Sequence, residues 1–222
     1  MTPLKVIFQF QSPLVLESEY PIHLDALLAW CEAQEAEAAG SDTPWQDAQD
    51  LSHLLDPHGD GDDMVWKASR LVFTPMSERH KLNMIRKTDP EAIMEDYDAG
   101  RFTHSRPVTR VDTRSGQSRA YQMLVPYQWM ERAEAWAIGD EDEIRERLSL
   151  LKHVGKMGRN GFGIIKSIEV LPCPEAQDLW KIRVLPQGSA GAPGVEYVPA
   201  MHCLRAPYWE KTNRIIAVEP VV

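Results

Sequence analysis

From Leu150 to Val170 the sequence reads LLKHVGKMGRNGFGIIKSIEV. An apolar run of helical spacing gives way to Gly155, Gly158, Gly161 and Gly163, and then to an apolar run of strand character. This order, helix then glycines then strand, limits the fold more than any other stretch of the chain. Nucleotide-binding P-loops and Rossmann turns need strand, glycines, helix, because the phosphate sits on the helix N-terminus. Here the loop leaves a helix C-terminus, whose dipole offers nothing to an anion. Gly155 and Lys156 also lack the upstream glycine and following Ser or Thr of a Walker motif, and no GxGxxG occurs. No nucleotide or other cofactor is expected.

Two readings of the loop remain. Its glycines allow positive φ and close backbone approach with exposed amides, while Lys152, His153, Lys156, Arg159 and Asn160 add donors around them. An extended polyanion crossing the edge of a sheet would meet both. The plainer reading is a helix C-cap and turn, with the cations countering the helix C-terminus. Four glycines in nine residues are more than a cap needs.

A net charge of −9 looks wrong for a polyanion binder, but it is unevenly spread. Residues 1–65 hold Lys5 as their one base against thirteen acids, whereas residues 66–125 hold eleven bases against seven acids. Screening confines a charge's influence to about 10 Å at moderate salt, so a basic face and an acidic back can coexist. Hydrophobic residues make up 43% of the 222, enough for a sizeable core in one domain with an insertion. Cys31, Cys173 and Cys203 form no CxxC pair, which argues against a structural zinc site and a disulfide framework and fits a reducing cytosol. Gln9, Gln11, Ser12 and Pro13 break the first apolar run, which therefore reads as neither signal peptide nor membrane span. A cytoplasmic protein without a membrane partner is expected.

LKVIFQF (4–10) alternates as a strand with one buried face. Pro21 opens a helix with Leu24, Leu27, Leu28 and Cys31 inward and Gly40 at its end. Thr43 and Pro44 start a second helix, with Ala48, Leu51 and Leu55 on its apolar face. DPHGDGDD (56–63) lacks EF-hand spacing and reads as a solvated turn. Strands are expected over 64–73 and 121–130, flanking a cationic, aliphatic-poor insertion at 74–119. Inside it Asp89 and Pro90 open a short helix with Ile93, Met94 and Tyr97 inward, Gly100 closes it, and TRSGQSR (113–119) is a hairpin tip. Asp140 and Glu143 make a capping-box-like start to a third helix bearing Ile144, Leu148 and Leu151. GIIKSIEVL, LWKIRVL and VEYVP are further strands. The sum is an α+β chain of the ferredoxin-like or RNA-recognition type. It has an antiparallel sheet with helices on one face, a glycine-rich loop and an inserted basic thumb-like subdomain.

The pattern G-K-x-x-x-x-G-[FY]-G, met by Gly155, Lys156, Gly161, Phe162 and Gly163, resembles the signature of the RAMP superfamily, the repeat-associated RNA-binding proteins of CRISPR-Cas systems. LKVIFQFQSPLVL, PIHLDALLAW and WKAS (66–69) further resemble the Csf-type subunit of type IV CRISPR-Cas that occupies the Cas-five position. The resemblance implies a non-catalytic subunit that grips the 5′ handle of the CRISPR RNA. It also implies that the subunit caps a backbone of Cas-seven-like subunits beside a large-subunit homologue that engages target DNA. It would place RNA contacts at Lys152, His153, Gly155, Lys156, Arg159, Asn160, Gly161, Phe162 and Gly163. The insertion, as the thumb, would add Arg79, Lys81, Arg86, Lys87, Arg101, Arg106, Arg110 and Arg114.

His23 is the alternative centre, since endoribonucleases of the same superfamily keep a general base near the start of the first helix, and Tyr20 or Lys152 could act as partner acid. The plain reading of His23 is a first-turn residue at the surface or hydrogen-bonded in place. Phe102, Tyr121 and Phe162 are candidates for base stacking, with the core the favoured place for Tyr121, and Trp129, Trp136, Trp180 and Trp209 are assigned to packing.

Overall fold

The computed structural model describes residues 1–16, 21–101, 110–116 and 118–221. In chain order the elements are β1 (Thr2–Phe10), α1 (Leu24–Ala38), α2 (Pro44–Asp47), β2 (Pro57–His58), β3 (Val65–Trp66), β4 (Val72–Pro75), β5 (His80–Arg86) and α3 (Pro90–Asp98). They continue with β6 (Tyr121–Tyr127), β7 (Met130–Gly139), α4 (Glu141–Leu148), β8 (Ile165–Pro172), α5 (Ala176–Leu179), β9 (Leu185–Pro186), β10 (Tyr197–His202) and β11 (Ile215–Pro220). The fold is α+β, its named strands all pair antiparallel, and the chain forms two compact units: 1–78 with 128–222, and 79–127.

The first unit is built on a sheet of order β4-β7-β1-β8. The alternation of β1 does what its sequence demands: Leu4, Val6 and Phe8 are fully buried and Phe10 partly so, while Lys5, Ile7 and Gln9 point the other way. Leu24 and Leu28 of α1 and Ile144 and Leu148 of α4 close over that buried face. Asp140 caps α4 by accepting from the amides of Asp142 and Glu143, both at 3.1 Å. Arg147 of α4 ion-pairs with Glu32 (2.6 Å) and Glu35 of α1, tying the two helices together. On the opposite face Ile138 joins Val65, Trp180, Val184 and Leu185 in a second core. This core lies under the small sheet β10-β11-β9. Helical cover is therefore not confined to one face, since α5 leads into Trp180 on this side.

Several sequence expectations need correction: α1 begins at Leu24 and not at Pro21, and α4 ends at Leu148, short of Leu151. α2 ends at Asp47, so Ala48, Leu51 and Leu55 are buried but lie beyond it. The strand expected over 64–73 is broken into β3 and β4, and LWKIRVL (179–185) is a turn after α5 that becomes strand only at Leu185. One side chain is bonded at both places. Arg183 is wholly buried. It donates to the carbonyls of Trp66, Ala68 (3.0 Å), Val184 (3.2 Å) and Leu204 (2.6 Å). It also reaches the Tyr208 hydroxyl (2.7 Å) and the Asp25 carboxylate (3.3 Å). The carbonyls of Trp66, Ala68 and Val184 turn toward this guanidinium where the regular strands stop, although Trp66 still pairs with Pro57 and Ala68 bridges to Ala137. β7 is not among the expected strands because Ala133, Ala135 and Ala137 are weak strand formers; here their small size lets the helices sit close.

In the second unit β5 and β6 pair from His80↔Tyr127 to Arg86↔Tyr121. Asp89 caps α3 by accepting from the amides of Glu91 (3.0 Å) and Ala92 (3.3 Å), and Gly100 ends it at φ +69°. Ile93, Met94 and Tyr97 are only half-buried. Asp112 closes the turn of the TRSGQSR segment by accepting from Arg114 N at 2.8 Å.

Breaking the buried pair at one end leaves an uncompensated charge. Arg183→Met is therefore expected to lower stability by about 3–5 kcal/mol in urea unfolding, and Asp25→Leu/Arg183→Met to recover a large part of the loss.

Candidate nucleic-acid interface

The glycine-rich segment is a folded-back loop stitched to the chain just after β1. Gly163 N donates to Pro13 O (2.8 Å), Lys156 N to Val15 O (2.9 Å) and Gln11 N to Ile164 O (2.8 Å). Ile164 N donates to the Ser12 hydroxyl at 2.8 Å, and Val154 N to Gly163 O at 2.9 Å. Two glycines make this possible. Gly163 has φ +65°, and a Cβ there would sit 1.9 Å from Val154 O; Gly155 has φ +85°, and its Cβ would meet Val15 O at 2.8 Å. Gly161, at φ +87°, has open space around it.

The amides expected to face a ligand are largely engaged internally: those of Val154, Lys156, Asn160, Gly161, Phe162 and Gly163 all donate within the loop or to residues 13–15. Phe162 and Gly163 are buried, so Phe162 anchors the loop and offers no face for stacking. What the loop presents outward are side chains. Lys152, His153, Lys156, Arg159 and Asn160 are exposed together, with Gly155 and Gly161 between them. Lys152 and His153 stand at the junction of two clefts. One, of about 550 Å³, also holds Arg145 and Lys166, and the other, of about 480 Å³, is walled by aromatic residues.

The insertion cations belong to the second unit, where Arg79, Lys81, Arg86, Lys87, Arg101, Arg110 and Arg114 are all exposed. Arg101 is ion-paired with Asp96. Arg106 and Phe102 lie outside the described residues. Tyr121 is exposed on the β5–β6 ribbon rather than in a core. Among the tryptophans assigned to packing, Trp180 is buried, but Trp129 and Trp209 are exposed.

His23 is not a surface residue. It immediately precedes α1, is 1% exposed, and stacks on Tyr208 with ring centroids 4.4 Å apart. Burial, and then the neighbouring Arg183 charge, hold its imidazole well below its ordinary pKa near 6.5. Tyr20, its suggested partner, lies outside the described residues, and Lys152 is exposed on the loop. Among the described residues no cluster of His, Cys, Asp or Glu could hold a metal ion, and no helix is long and apolar enough to cross a membrane.

Sequence reasoning missed Arg183 and Trp209. An arginine inside the apolar run IRVLP was the available signal for the first. A tryptophan between Tyr208 and the charged Glu210 and Lys211 was the signal for the second.

Gly163→Ala is expected to destabilise by more than about 3 kcal/mol, because backbone must move, whereas Gly161→Ala costs about 1 kcal/mol of left-handed strain. Denaturant midpoints of the two variants check the contrast. His23 is neutral when folded, so unfolded chains take up a proton as pH falls below about 6.5, and stability drops by up to about 1.4 kcal/mol per pH unit there. Comparing unfolding at about pH 7 and about pH 5.5 should show this slope in the wild type and its absence in His23→Gln.

Comparison with curated proteins gives no match. The family described as CRISPR type IV associated protein Csf3 matches residues 2–220, nearly the whole sequence and both units. The chain therefore belongs to the Csf3 family of type IV CRISPR-associated proteins.

Proposed function

We propose that the protein is a non-catalytic RNA-binding subunit of a type IV CRISPR effector complex, acting in the cytoplasm, where it holds the 5′ handle of the CRISPR RNA and caps the complex's backbone. Membership of the family supports a role in a type IV CRISPR complex. The observation that carries the RNA reading is the loop itself, whose cations Lys152, Lys156 and Arg159, with the His153 ring beside them, are exposed on a stitched backbone. Fixed cations on such a scaffold suit the phosphates of a single strand.

Connection order supports a ferredoxin-like, RAMP-type reading of the first unit. β1-α1-β4-β7-α4-β8, with sheet order β4-β7-β1-β8, is a split β-α-β arrangement. The second unit leaves the chain between β4 and β7 and carries exposed cations, which supports reading it as the thumb. In this reading a Cas-seven-like backbone subunit and a large-subunit homologue are its protein neighbours, and target DNA is met beside the latter.

Burial of His23 favours the non-catalytic reading over an endoribonuclease built on it, because a general base must reach the attacking hydroxyl. Purified protein incubated with repeat RNA is expected to leave it uncut; cleavage abolished by His23→Ala would replace this reading with the enzymatic one. Lys156→Ala/Arg159→Ala is expected to weaken single-stranded RNA binding and reduce its salt slope by about 1.4, at about 0.7 for each phosphate no longer neutralised. Unchanged affinity and slope in that variant would remove the loop from the RNA site.

A further inference from the structure

The second cleft beside Lys152 and His153 differs in character from the loop. It has a volume of about 480 Å³ and lies wholly in the first unit. Trp30 of α1, Trp45 of α2 and Trp209 line it, and these rings are 36%, 43% and 66% exposed. No Asp or Glu is among the described residues that line it, although thirteen acids lie within residues 1–65, the segment that supplies two of those rings. Large aromatic faces left in water beside two basic side chains need a partner that is flat, apolar on its faces and anionic at its edge.

We infer that this cleft seats an unpaired nucleobase of single-stranded RNA, with the base stacked on the tryptophans and an adjoining phosphate against Lys152 and His153. The inference rests on the RNA-binding reading above and adds the kind of contact made, which is stacking that tolerates any base. An apolar protein segment fits the rings but would desolvate the Lys152 ammonium without supplying a counter-charge and would leave the polar His153 ring without a partner to bond. A nucleotide satisfies both halves of the site. Cations also continue past it: the neighbouring 550 Å³ cleft shares Lys152 and His153 and adds Lys166 and Arg145, the latter also paired with Glu141 and Asp142. A strand entering with its base on the tryptophans would thus meet further positive charge for the phosphates that follow.

The wall is fixed before any ligand arrives. Tyr208, which also lines the cleft, has its hydroxyl held 2.8 Å from Asp25 and 2.7 Å from Arg183, so the backbone that carries Trp209 is anchored one residue away. Preorganised aromatic walls reduce the ordering cost of binding.

The test titrates the full chain with a fluorescein-labelled single-stranded oligoribonucleotide and with the same sequence as a duplex, reading anisotropy across a salt series. Trp209→Ala is expected to weaken single-strand binding about tenfold with an unchanged salt slope, because a stack is removed and every phosphate contact is kept. Trp209→Phe, which keeps a ring, should stay within about threefold of wild type. Trp45→Ala, on another chain segment, serves as the second variant and should also weaken single-strand binding, and unfolding midpoints confirm that each variant is folded. Duplex affinity should not change, since its bases are already stacked. Wild-type single-strand affinity in both Trp209→Ala and Trp45→Ala, or an equal loss on duplex, overturns the inference while leaving the loop's role to Lys156 and Arg159. A wild-type chain that binds no RNA overturns both.

Discussion

The buried guanidinium of Arg183 is the constraint on which the first unit depends. A guanidinium cannot shed its charge, so once removed from water every N–H must find an acceptor, at a desolvation cost of several kcal/mol if it fails. Burial alone would lower its pKa, but the Asp25 carboxylate and the Tyr208 oxygen hold it above the ordinary value, which keeps the ion charged. The acceptors come from four separate stretches: the first turn of α1, the break between β3 and β4, the segment leading into β9, and the turn around Leu204 and Tyr208. None of these stretches is held in place by the four-stranded sheet alone. Backbone bonds also tie the β3–β4 break to β7 (Ser69 N to Trp136 O, 2.8 Å) and to the head of α1 (Leu24 N to Ser69 O, 3.0 Å). The guanidinium adds directional donors that join all four stretches at one point.

That constraint reaches the aromatic cleft. Asp25 and Arg183 locate Tyr208, Tyr208 stacks on His23 at the head of α1, and Trp209 follows directly in the chain. The same helix carries Trp30, so two of the three tryptophans lining the aromatic cleft stand on segments joined by one buried pair. The acidity of the first 65 residues does not undo this. Glu32 and Glu35 are engaged by Arg147, Glu32 also by His53 at 3.0 Å, and Asp56 by Lys67 at 2.5 Å. Partly buried pairs of this kind have weak outward fields, and the remaining acids act only within about a Debye length of their own surface. A cationic loop can therefore exist in a chain of net charge −9.

Legibility in the sequence followed the range of the physics involved. β1, the body of α1, and the caps at Asp89 and Asp140 were readable because period-2 burial, helical spacing and capping chemistry act within a few residues. β7 was not, because its alanines are dictated by helices packed above them and not by strand propensity. Arg183 was not, because its acceptors lie up to 158 positions away. The loop's cations were legible as a group, but the fate of its amides and of Phe162 was set by residues 11–16, a partner that no local pattern announces. Trp209 was misjudged by composition: tryptophans are usually packed, and only the fold shows that this ring stands exposed.

The stitching of the loop also changes what its glycines do. Read alone, four glycines in nine residues suggest a flexible segment that wraps around a ligand. In the structure Gly163 and Gly155 permit contact so close that any side chain would collide with backbone, and the segment is bonded to the stretch of chain that follows β1. A flexible loop would have to be ordered by its ligand, at roughly 1–2 kcal/mol per residue, and its cations would gain little beyond that cost. A stitched loop has met that cost in folding, so attraction between its cations and a phosphate backbone can appear as affinity. Gly163 and Gly155 serve close packing, and in the proposed reading Lys152, Lys156 and Arg159 would act from a backbone that is hydrogen-bonded in place.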